Sequence, residues 1–215
     1  MTSESSRLSD YLIATEIVDT DHPAIKAQAR SVAGSAETDV DQATCLFTWV
    51  RDEIPHSKDV GVEIVTCRAS EVLEHRTGIC YAKSHLLAAL LRSVGIPAGF
   101  CYQLLCKDPP HTGMELHGFN GIYLRSLGKW VSVDARGNTG AIDAQFNTQQ
   151  PQLAFPVDSS KGEKTYDTIF AAPDSGVVDT LQRFSSLSEM WPHLPKSLSR
   201  APERARDWLL DEESP

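Results

Sequence analysis

Three side chains in the middle of the chain have the types that thiol chemistry at a carbonyl requires. The stretch RTGICYA sets Cys80 two places after Gly78, at the start of an Ala/Leu-rich helical pattern. A helix start offers unpaired backbone N–H groups and the positive end of the macrodipole, which bias a thiol there toward thiolate. Such a nucleophile needs a proton carrier. His117 and Asp134 lie on two candidate strands joined by the short segment RSLG. A carboxylate bonded to one ring nitrogen fixes the imidazole tautomer and stabilises the imidazolium, leaving the other nitrogen to serve the thiol. Cys80, His117 and Asp134 are therefore candidate nucleophile, general base and acid, and orienting group.

Whether the ring and the carboxylate meet depends on strand register. With a turn centred on Arg125 and Ser126, His117 lies directly opposite Asp134. With the centre one residue later, His117 faces Arg136 and Asp134 becomes its diagonal neighbour on the same face, about 7–8 Å away between Cβ atoms, within reach of an imidazole. An intermediate register keeps the face only with a bulge.

The elements that must carry these groups are legible from caps and periodicity. In TDHPAIKAQARSVAGS, Asp21 is placed to cap a first helix, with Pro23 in its first turn and Gly34 at its end. Thr38 opens a second, whose apolar Val40, Ala43, Phe47 and Val50 recur at helical spacing until Pro55. RASEVLEHRTG reads as a short helix ended by Gly78. A long helix then runs from about Cys80 to Val94, with Leu86, Leu87, Leu90, Leu91 and Val94 as its stripe and GIP as its stop. Beyond Pro97 the period changes: AGFCYQLLC, HGFNGIYL and KWVSVDA read as strands, the last two as an antiparallel hairpin. From Gly137 onward Pro, Ser, Gln and Asp are frequent, and helical signals return at SGVVDTLQRF and PERARDWLL. The expectation is an α+β fold in one domain, residues 1–215, with a core at about 38–140 and a C-terminal extension at about 141–215.

At 215 residues, 41% hydrophobic and 23% charged, the chain has enough apolar sequence for a real core. A net charge of −9 argues against nucleic acid or an anionic membrane as partner, because no run of Lys and Arg is present to track phosphates. MTSESSRLSDYL has no charged start followed by an apolar stretch, which argues against a secretory signal, and nothing approaches a membrane-spanning length. Five cysteines (Cys45, Cys67, Cys80, Cys101 and Cys106) make an odd count without a small-scaffold pattern, so reduced thiols in a cytoplasm are the expectation.

RTGICYAKSHLLAALLRSVGIPAGF, then HGF, then GKWVSVDA, resembles the core of the transglutaminase-like superfamily, prokaryotic type, whose members share a papain-like cysteine-peptidase fold. Gly78 and Cys80 match the family's first element. Leu91, Arg92, Gly95, Ile96 and Pro97 match the end of its helix, and His117, Trp130 and Asp134 its strands. The resemblance spans roughly Ala43 to Asn138. It departs where Tyr81 follows the cysteine in place of an acidic or polar residue, and where Gly118 and Phe119 stand at the family's HAW-like phrase. It implies a helical half packed on an antiparallel sheet, and acyl transfer at a peptide or protein amide through a thioester, with no cofactor. It favours hydrolysis by a peptidase or amidase over transamidation. No calcium-loop pattern is apparent. Arylamine N-acetyltransferase-like acyl transfer and an idle domain that binds a peptide or protein are the alternatives. The backbone N–H of Cys80 is a natural oxyanion donor, and a side chain from the loop between His56 and Cys67 is the candidate second.

Other groups carry blander readings. Cys45 beside Phe47 and Trp49 reads as core, as does Trp130. Cys101 and Cys106 sit at odd separation on one strand, hence on opposite faces, which argues against a shared zinc with His111 and His117. His75 reads as solvated, Arg136 as the partner of a carboxylate, and DEESP as a solvated tail.

Overall fold

The computed structural model describes residues 1–106 and 113–199. His111, the PERARDWLL signal and the DEESP tail lie outside the described residues.

Four helices form the first half: α1 (Pro23–Ala33), α2 (Asp39–Glu53), α3 (Ala69–His75) and α4 (Cys80–Ser93). Thr38 caps α2 as expected, its Oγ1 accepting from the Asp41 N–H at 3.1 Å. The cap of α1 is His22, not Asp21: Pro23 takes the first helical position, so the residue before it becomes the cap, and His22 Nδ1 accepts from the Ala24 N–H at 3.3 Å. Helix α3 stops before Gly78. Arg76 adopts the left-handed conformation at φ 53° and ends the helix. Its guanidinium lies 4.8 Å from the Trp49 ring and donates to the Glu53 carbonyl at 3.3 Å, contacts that hold a conformation side chains rarely adopt.

Helix α4 is buried from Tyr81 to Arg92, polar residues included. The apolar stripe expected along it is therefore only one of its buried faces, since α1, α2 and α3 cover it on one side and the sheet on the other. Burial of polar groups requires partners. Arg92 donates to the carbonyls of Ile13 (2.7 Å), Ala98 (2.8 and 3.0 Å) and Ala171 (2.7 Å), tying the helix end to three segments. Asn120 Nδ2 donates to the carbonyls of Ser84 and Gly99, both at 3.1 Å, joining α4 to the sheet from the other direction.

Besides the short N-terminal β1 (Thr2–Ser3), the strands are β2 (Ala98–Cys106), β3 (Met114–Leu124), β4 (Lys129–Val133), β5 (Lys164–Thr165) and β6 (Thr168–Ile169). An antiparallel sheet runs in the order β4-β3-β2-β5, and β1 pairs with β6 in parallel. In the β3–β4 hairpin Leu124 pairs with Lys129 and Asn120 with Val133, which is the later of the two turn centres. Two helices follow, α5 (Ser175–Arg183) and α6 (Leu187–Met190). The fold is α+β, as the order of patterns implied. Cys45 is exposed on α2, contrary to its reading as core, because the inward stripe of that helix is Ala43, Leu46, Phe47 and Val50. Among the described residues no helix is long and apolar enough to cross a membrane.

Candidate active site

Cys80 is the first residue of α4. Its N-cap residue, Ile79, is extended (φ −78°, ψ 174°) and has no side-chain acceptor, so the positive helix end is left to act on the cysteine. The thiol is half-buried and lines a cleft of about 210 Å³ together with His56, His117, Arg136, Phe155 and Trp191. Its proximity raises the pKa of the His117 ring, which lines the same cleft.

His117 Nε2 lies 2.7 Å from Asp134 Oδ2. This is the diagonal contact that the later register permits: β4 ends at Val133, and the chain turns the next residue onto the ring. Both groups are buried, at 5% and 1% exposure. Asp134 Oδ2 also accepts from the Ala154 N–H at 3.0 Å, and Oδ1 from the Arg136 N–H at 3.1 Å. Burial alone would raise its pKa. The His117 charge and these hydrogen bonds outweigh burial and hold the carboxyl below its usual range. Burial likewise opposes the His117 charge, yet Asp134 and Cys80 together lift the imidazole to about 10. The dyad is an imidazolium–carboxylate pair.

What encloses the dyad comes from a part of the chain that carried no signal. Phe155 stands edge-on to the His117 ring, 4.9 Å between centroids at 88°, and Ala154 supplies the N–H to Asp134. Gln103 holds this segment: it pairs with His117 across β2 and β3, and its Nε2 donates to the Phe155 carbonyl at 3.1 Å and to Thr165 Oγ1 at 3.2 Å. In sequence these residues are an unpatterned stretch of a Pro- and Gln-rich region. Only the run LAF among polar neighbours hinted at burial.

His56 is the side chain that the sequence left unresolved at the edge of its loop. It bridges to Gly78 beside the nucleophile, and the Ser57 N–H donates to the Gly78 carbonyl at 3.2 Å. The ring is buried in the cleft, with Nδ1 3.8 Å from Asp59 Oδ1 and without a hydrogen bond. Burial, followed by the nearby charges of Arg136, Lys83, His117 and Lys58, holds His56 well below its ordinary pKa, so it is a neutral imidazole with one N–H to donate. Arg136 pairs with a carboxylate of the protein itself, its guanidinium bonded twice to Asp59, and so joins the segment after β4 to the His56 loop.

The two departures from the family pattern are one feature. A Cβ at Gly118 would lie 2.7 Å from the Tyr81 ring, so a large residue after the cysteine excludes any side chain after the histidine. Tyr81 also donates its hydroxyl to the Leu116 carbonyl on the same strand. Cys101 is buried on the far side of the sheet with Tyr11, Phe119 and Ile169, while Cys106 lines the cleft. Among the described residues no His, Cys, Asp and Glu group is arranged to hold a metal.

With the geometry in hand, the chain can be set beside known proteins. No curated protein matches it. A solved structure from Cytophaga hutchinsonii, described as a "putative cysteine protease", aligns at a TM-score of 0.51 and 20% identity over 61% of this chain and 43% of that one, and so shares the fold. The chain spans less than half of that protein's length. A transglutaminase structure aligns at 0.40 and 16% identity, over 61% of this chain and 34% of that one. The arylamine N-acetyltransferase of M. tuberculosis aligns at 0.38 and 19%, over 53% and 51%. The family model described as the transglutaminase-like superfamily matches residues 26–135, over half of the chain and inclusive of Cys80, His117 and Asp134. By that match the chain belongs to the transglutaminase-like superfamily.

Proposed function

We propose that the protein is a cysteine hydrolase or acyltransferase acting on an amide, with Cys80 as nucleophile, His117 as proton carrier and Asp134 as its orienting group. The observation that carries this reading is the His117 ring, held to Asp134 at 2.7 Å through Nε2 and sharing one cleft with a thiol at a helix start. The sulfur attacks the amide carbonyl carbon, and the carbonyl π electrons move to oxygen. The Cys80 backbone N–H and the neutral His56 imidazole donate to that oxygen. The oxyanion collapses, the C–N bond breaks, and His117 gives its proton to the leaving amine. A water molecule or a second amine, deprotonated by His117, then attacks the thioester and returns the thiolate. Hydrolysis of a peptide or protein amide is the favoured outcome. We further read residues 1–215 as one domain, since β5 extends the central sheet and Phe155 closes the dyad. We read its compartment as cytoplasmic, in keeping with five free cysteines.

The test is a mass-spectrometric screen of wild type and Cys80→Ala against a library of electrophilic amides. A mass increment on the Cys80 peptide, present only in the wild type, is the expected result. A wild-type protein that no amide acylates, and whose Cys80 alkylates with an ordinary thiol pKa of about 8.5, would instead be an idle binding domain.

A further inference from the structure

One charged group in the interior has no part in the chemistry just described. Lys83 lies on α4 one turn beyond Cys80, with 0% exposure. Its ammonium donates to the carbonyl of Arg51 at 3.4 Å and to that of Ile54, where α2 ends and the chain turns toward His56. On its other side stands Gly137, three residues past Asp134. A Cβ built there would lie 3.3 Å from Lys83 Nζ and 3.3 Å from the Arg51 carbonyl oxygen. Gly137 has φ 108°, so the segment after β4 passes over the ammonium in a conformation suited to glycine. The nucleophile's helix, the approach to His56 and the exit from Asp134 thus meet at one nitrogen.

We propose that Lys83 is a positioning residue, whose buried cation holds the His56 segment and the Asp134 segment in register with the helix that presents Cys80. The proposal rests on the reading of Cys80, His117 and Asp134 given above. The charged neighbours come from each surrounding element: Asp52 on α2, His56 and Asp59 on the following loop, and Asp134 and Arg136 after β4. Burial and the Arg136 guanidinium pull the lysine down, the three carboxylates hold it up, and the balance lies at about 7. A lysine so placed gains or loses its charge near neutrality, and with it the pull on the carboxylates. Small displacements of a reacting group cost large factors in rate, so a loosened junction reaches the thiol even though Lys83 does not touch it.

Lys83→Met keeps the stem and volume and removes the cation. The readout is the second-order rate of iodoacetamide alkylation of Cys80 against pH, with melting followed on the same samples. Leu87→Ala, a cavity in the same helix, serves as a control of lowered stability. In the wild type we expect Cys80 to alkylate readily at pH 6, with a step in rate near pH 7 as Lys83 titrates. In Lys83→Met the rate at pH 6 falls at least tenfold and the step disappears, whereas Leu87→Ala keeps both. A folded Lys83→Met protein that alkylates within twofold of wild type, or that retains the step, overturns the proposal. A wild type whose Cys80 does not alkylate at pH 6 overturns the catalytic reading instead. Should Lys83→Met fail to melt cooperatively, Lys83→Gln is read by the same criteria.

Discussion

The stretch from α4 to β4 and the two irregular segments that close over it, residues 54–59 and 153–156, do different work at the same cleft. The first carries Cys80 and His117 on regular elements, and Asp134 directly after one, at a spacing set by helical and strand periods. The second carries His56, Asp59, Ala154 and Phe155, none of them on a long element. The regular part brings reactive groups together. The irregular part sets their charge states, because it buries the dyad, supplies an N–H to Asp134 and keeps His56 neutral in company with Arg136 and Lys83. Reactivity here belongs to the scaffold, and its tuning to the loops.

Asp134→Asn should break the regular part most severely. With the orienting carboxylate gone, kcat/KM on an amide that acylates Cys80 is expected to fall by about 10⁴. The same variant reports on stability. The folded pKa of His117 is raised, so its contribution is fully present below the unfolded value near 6.5 and is lost as pH rises toward about 10. The stability lead of the wild type over Asp134→Asn, read from urea midpoints, should therefore shrink across that window, since the opposite-signed titration of Lys83 is present in both; a constant lead would exclude the ion pair. For the irregular part, His56→Phe should lower kcat by about 10²–10³ with KM little changed, as loss of an oxyanion donor does. His56→Gln, which retains an N–H, should recover most of it, and a failure to recover would assign His56 to packing alone. The smallest effect tests the seam between helix and sheet. Gly118→Ala should cost about 1–3 kcal/mol through its clash with Tyr81. In a Tyr81→Leu background the same change should cost clearly less by urea denaturation; additive costs would show the two positions to be independent.

The halves of this comparison were unequally legible in the sequence. Helices α2 and α4, strands β2 to β4 and the two turn centres followed from caps and periods, because local geometry repeats. His117 and Asp134 could be paired in advance because diagonal neighbours share a face. The cap of α1 and the end of α3 went astray where a single local contact overrode the usual residue: proline moved the first by one place, and the Trp49 and Glu53 contacts of Arg76 held the second in a glycine-like conformation. His56, Lys83 and Phe155 were not legible as parts of the site. Each acts through residues distant in the chain, Phe155 on His117 among them, and no repeating pattern marks such meetings. Lys83 in particular stands three residues before Leu86, four before Leu87 and seven before Leu90, on the apolar stripe itself, and what the spacing could not give was its partners, the carbonyls of Arg51 and Ile54.

The hydrogen bond from Ala154 to Asp134 is made by main chain, and that hides it from the usual survey. Exchanging Ala154 for glycine or serine leaves the N–H in place, and larger residues act through the packing of this buried position, so a scan of side chains would not register the donor. Only an imino acid or a backbone ester there removes the donor. A family comparison would accordingly show small residues at a buried position, with the avoidance of proline as the one visible trace of the donor.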